Sequence, residues 1–123
     1  MNEIDILGLV MFAVMAGAGL LLIWVARATA SGKIKRNAVA GIRTRKTMAS
    51  EEAWLAAHVR AKTPTLLAGV ASLLGGVATL LPMGLNQMMV VVMVATGITF
   101  VLVAYGAIVG GQAADEVTSS GQA

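Results

Sequence analysis

The chain has no cysteine, one histidine and two prolines, and only 12% of its 123 residues are charged. About a quarter is usual for a soluble domain. Without cysteine, disulfides, thiol catalysis and cysteine-based zinc sites are excluded. No Ser-His-acid or His-Glu-x-x-His spacing occurs around the one histidine. Aromatic residues make up 4%, too few to interleave with basic residues as a nucleic-acid surface requires. Charge is also missing locally. Residues 6–26 carry none over 21 positions, and residues 63–114 carry none over 52. A soluble fold of this size has no place for two such runs, so the bilayer is the better solvent.

What is present is 58% hydrophobic residues and a single basic island. All nine Lys and Arg lie within residues 27–62, opposed there only by Glu51 and Glu52, which leaves the island at about +7. The run 6–26 is long enough to cross a hydrocarbon core about 30 Å thick. A cleaved leader is the rival reading, since Ala28-Thr29-Ala30 resembles a small-x-small site. The residues before the run are acidic (Glu3, Asp5) and the run exceeds the usual leader length, which predicts a retained membrane helix. Ala13 and Gly17, and Gly8 and Phe12, stand four apart as helix-packing positions. Trp24 fits an interfacial anchor.

The second run is too long for one crossing. Leu81-Pro82-Met83-Gly84-Leu85-Asn86-Gln87 supplies the turn formers that break it. Spans are expected over 64–81 and 87–110, with Thr63 capping the first and Pro64 at its first position. Ala68, Ser72 and Gly76, then Ala71, Gly75 and Thr79, and finally Gly106 and Gly110, form small-residue stripes for helix packing. The whole reads as one all-α membrane domain over 1–123. It has three transmembrane helices, a basic loop over 27–62 with a short juxtamembrane helix over 50–61, and a disordered tail over 113–123. The positive-inside rule makes that loop cytoplasmic, with the N-terminus outside and the C-terminus inside a bacterial inner membrane.

Within the island, Gly41 can turn the chain with positive φ and Ile42 can anchor it in the interface. Thr47 or Ser50 can cap the following helix, with Glu51 and Glu52 in its first turn. Trp54, His58 and Ala61 share a helical face, and a bend is expected near Pro64. The order Asn37, Gly41-Ile42-Arg43-Thr44, Thr47, Ser50-Glu51-Glu52-Ala53-Trp54, His58 resembles the signature of the SdpI family, in which such a segment precedes a closing pair of membrane helices. Arg45-Lys46 stand where the family often has proline and an aromatic residue. The resemblance implies an integral membrane protein that acts by binding, in immunity to or signalling of a membrane-active peptide or toxin. It makes the motif residues, Asn37 to His58, the candidate partner- or lipid-binding site.

The partners this allows are anionic lipid headgroups at the loop, a peptide toxin, a cytoplasmic regulator or other membrane subunits, but no nucleic acid. An accessory subunit of a larger membrane complex is the alternative. Arg43 is the leading site residue, able to pair with Glu51 or Glu52 or to grip a phosphate or carboxylate; simple lipid anchoring is the plainer reading. His58 suits packing or pH sensing. Met83, Met88, Met89 and Met93 near the outer turn would suit Cu(I), but no cysteine or second histidine supports them, and methionine also fills irregular helix contacts. No ionisable residue lies at mid-membrane depth to mark a transport path. No enzyme activity, metal or cofactor is expected.

Overall fold

The computed structural model describes residues 1–121. Among them the chain is all helix and loop: α1 (Glu3–Ala30), a 3-10 turn (Thr47–Ala49), α2 (Glu51–Ala78) and α3 (Leu85–Ser119). All three long helices are long and apolar enough to cross a membrane. At 1.5 Å per residue, the 28 residues of α1 extend roughly 42 Å, more than the hydrocarbon core alone.

Local chemistry sets each boundary. Asn2 and Asp5 cap α1 reciprocally: the Asp5 amide donates to Asn2 Oδ1 at 2.9 Å, and the Asn2 amide donates to Asp5 Oδ2 at 3.1 Å. The helix stops at Ser31, and Gly32 turns the chain at φ +81°. Ser50 caps α2, its Oγ accepting from the Ala53 amide at 3.0 Å. At the start of α3 the Gly84 amide donates to Gln87 Oε1 at 3.0 Å.

The central helix is α2, packed on α1 along one side and on α3 along the other, while α1 and α3 hardly touch. Small residues make both seams. A Cβ at Gly69 would stand 2.7 Å from the Gly19 carbonyl oxygen, and one at Gly19 would stand 2.5 Å from that of Gly69. The two backbones therefore cross with no room for a side chain. Ser72 Oγ donates to the Met15 carbonyl at 2.8 Å, and Thr79 Oγ1 to that of Gly8 at 3.0 Å. On the other side Gly75 meets Ala95, and Gly106 and Gly110 meet Ala61 and Ala57.

The structure corrects three expectations. The juxtamembrane helix and second span are one helix that runs through Pro64. Thr63 is therefore interior and caps nothing. An interior proline normally costs a helix about 3 kcal/mol. Here both flanking halves are held by packing, and Gly106 leaves room beside the Pro64 ring. The tail is helical to Ser119 rather than disordered from 113, because Ala113 and Ala114 are buried and Ala114 packs with Ala53 and Ala57. Gln122 and Ala123 lie outside the described residues. Ala13 and Gly17 face away from the seam, and a Cβ at Gly17 would have no neighbour within 4 Å; Gly8, Ala16, Gly19, Ala26 and Ala28 are the buried glycines and alanines of α1. Of the methionines near the outer turn, Met83 and Met88 line one pocket and Met88 is buried beside Gly8, whereas Met89 and Met93 are exposed.

Candidate functional site

The charged start of α2, before the charge-free run begins at Thr63, carries a cap. Residues 31–50 fold back over Trp54 and His58, and the end of α3 covers the opposite flank.

Trp54 is 1% exposed, and its indole Nε1 donates to the Ile34 carbonyl at 3.0 Å. One turn on, the His58 ring lies 4.2 Å from the Trp54 ring, centre to centre. His58 Nε2 accepts from the Ile42 amide at 2.8 Å, and its Nδ1 stands 2.7 Å from the Trp54 carbonyl. An amide can only donate and a carbonyl only accept, which fixes a neutral imidazole with its proton on Nδ1. Burial pushes the imidazole below its ordinary range, and the bond to Trp54 partly offsets this. Gly41 passes directly over the two rings at φ +102°. A Cβ there would stand 2.7 Å from Trp54 Cη2 and 2.8 Å from His58 Nε2. Both the left-handed backbone and the close approach require glycine.

Asn37 and Thr47 hold the two ends of this crossing. Asn37 Oδ1 accepts from the amides of Val39 and Ala40 at 2.8 and 2.7 Å, and its Nδ2 donates to the carbonyls of Lys35 and Ala40. Thr47 is fully buried. Its hydroxyl donates to the Ile42 carbonyl at 2.6 Å and accepts from the Thr44 amide at 3.0 Å; the Thr47 amide donates back to Thr44 Oγ1 at 3.3 Å. Thr47 is therefore an interior knot of the loop, and capping α2 falls to Ser50 alone.

Arg43 pairs with neither glutamate. Its Nε donates to the Asn37 carbonyl at 3.0 Å, which ties the two ends of the Asn37–Arg43 turn together. Glu51 is taken by Arg36, whose Nε donates to Oε1 at 3.1 Å and whose Nη1 donates to the Met48 carbonyl at 3.0 Å. Glu52, Arg43 and Arg45 are exposed and make no ion pair among the described residues. On the other flank Lys46 meets Asp115 at 3.0 Å and Arg60 meets Glu116 at 3.9 Å.

The motif residues thus divide. Asn37, Gly41, Ile42, Thr44, Thr47, Ser50, Trp54 and His58 build the cap, while Arg43, Glu51 and Glu52 lie on its surface. Sequence reasoning missed Arg36, Ile34, Ala114 and Asp115. Of these only Asp115 carried a sequence signal that could have marked its contact, an acidic residue in a chain with one basic island. No group of three or more His, Asp or Glu side chains converges as a metal site among the described residues.

Three membrane-length helices around a capped basic loop define a multi-pass membrane protein. A model of the SdpI/YfhL protein family matches residues 33–110, which take in the motif from Asn37 to His58, the whole of α2 and α3 as far as Gly110, and the chain belongs to that family. Neither a curated protein nor a solved structure matches the chain.

Proposed function

We propose that this protein acts by binding rather than catalysis, in immunity to or signalling of a membrane-active peptide or toxin at a bacterial inner membrane. The observation that carries the reading is the cap. Its buried polar residues spend their hydrogen bonds on fixing the loop's own backbone, and its exposed Arg43 and Arg45 enter no ion pair among the described residues, so Arg45 and the terminal guanidinium nitrogens of Arg43, whose Nε is bonded to the Asn37 carbonyl, face a partner. By the positive-inside rule the cap faces the cytoplasm, with the N-terminus outside and the C-terminus inside. There the basic residues meet anionic headgroups and a cytoplasmic regulator.

The test is a deletion strain challenged with membrane-active peptides. Sensitivity should rise on deletion and return to normal with the wild-type gene. Rescue by Arg43→Lys but not Arg43→Ala would mean that charge suffices; failure of both would require the planar guanidinium. Unchanged sensitivity of the deletion strain counts against the reading.

A second reading, an accessory subunit of a larger membrane complex, is favoured by Ala13 and Gly17. These small residues face outward on α1, where another helix can approach closely. Purification in mild detergent without any stoichiometric partner would remove it.

A further inference from the structure

Under the loop lies a cavity of about 560 Å³, within the roughly 300–1,000 Å³ usual for ligand sites. Its walls are mostly apolar, with Leu22 and Val25 from α1, Ala61 from α2 and Val103 from α3, and Thr29, Thr65 and His58 also line it. Gly41 and Ile42 form its roof, and Lys62 stands at its edge. Its depth is set by the sequence. The charge-free run of α1 ends at Ala26 and that of α2 begins at Thr63, so the cavity straddles the boundary between acyl chains and headgroups. Lys62 is exposed and makes no ion pair among the described residues. Val39, also lining the cavity, is 89% exposed. So bare an aliphatic side chain beside an apolar opening suits a loop tip dipped into lipid.

We propose that this cavity binds one anionic phospholipid of the surrounding bilayer, with an acyl chain against Leu22, Val25 and Val103 and, at the Lys62 ammonium, a phosphate whose charge no headgroup cation offsets. A chain seated there touches the underside of Gly41-Ile42, the segment whose backbone is tied to His58. Lipid occupancy and the shape of the cap are then linked. The proposal rests on the loop lying at the headgroups and not on the immunity reading. A toxin-indifferent deletion strain would leave it standing, and its own failure would leave the immunity reading standing.

The experiment is native mass spectrometry of the full chain released from bilayers holding phosphatidylglycerol and phosphatidylcholine in equal amounts. The expected result is a one-lipid adduct that favours phosphatidylglycerol. Lys62→Gln should reduce that preference about fivefold, the equivalent of about 1 kcal/mol for one basic residue near the surface. Val103→Trp should abolish the adduct by filling the cavity; if that variant does not fold, Leu22→Trp fills it from the opposite wall and decides the point. No adduct, an adduct indifferent to headgroup, or one that survives a folded filling variant would overturn the proposal.

Discussion

The membrane half and the cap are held together by different means. Between α1 and α2 the backbones meet through Gly8, Gly19, Gly69 and Gly76, and only Ser72 and Thr79 send hydrogen bonds across. In the cap, Asn37, Thr47, Trp54 and His58 all bond to main-chain groups of a loop with little regular structure. Inside a bilayer, lipid competes with any apolar contact, so close backbone approach does the packing. At the water boundary, the loop's amides and carbonyls need partners that helices obtain from themselves. Asn37, Thr47, Trp54 and His58 are the side chains that supply many of those partners.

Four substitutions or conditions separate these two kinds of order. The largest effect belongs to Gly41→Ala, which forces a left-handed backbone on alanine and drives a methyl group into two buried rings. It should cost about 3 kcal/mol and open the loop to protease while the helices stay intact. Next, Gly69→Leu should separate α1 from α2 at about 2 kcal/mol, read as earlier unfolding when SDS is titrated into mild detergent. Gly17→Leu, on the outward face of the same helix pair, should leave that curve unmoved. Equal effects at the two glycines would break the account of the seam.

Thr47→Val keeps the shape but leaves the Thr44 amide and the Ile42 carbonyl without their partner. A loss of about 1–3 kcal/mol is expected, confined to the cap and largely restored by Thr47→Ser. Smallest is the response to pH. Because the buried His58 is held below its ordinary range, the folded cap binds fewer protons than the opened one. Its full stability is present above the ordinary histidine value of about 6.5 and declines as pH falls through it. Protonated Nε2 would also turn a donor toward the Ile42 amide. Limited proteolysis of the loop at pH 7.5 and 5.5 checks this, and the difference should vanish in His58→Gln.

The membrane half was the more legible of the two in the sequence. Charge-free runs and the Pro82–Gly84 turn located the spans, and the Gly106–Gly110 spacing marked a true contact. The local signals that misled were those that tertiary packing overrode. Pro64 reads as a helix start, yet buried Ala57 and Ala61 on one side and Ala68 on the other carry α2 past it. Residues 113–119 read as polar and small, yet small size is what lets Ala114 settle on Ala53 and Ala57. In the cap, the positive φ of Gly41 and the Ser50 cap followed from residue type. The partners of Trp54 and His58 are backbone atoms of Ile34 and Ile42, and a carbonyl or amide leaves no mark in a sequence.

The central claim is that the motif fixes the loop's shape, and hydrogen exchange of residues 41–48 in lipid nanodiscs at pH 7.5 tests it most directly. The amides of Ile42 and Thr44 are bonded to His58 and Thr47. They should exchange far more slowly than in a free peptide of the same sequence, and Gly41→Ala should release them while α1 and α3 remain protected. Wild-type exchange at the free-peptide rate would contradict the account.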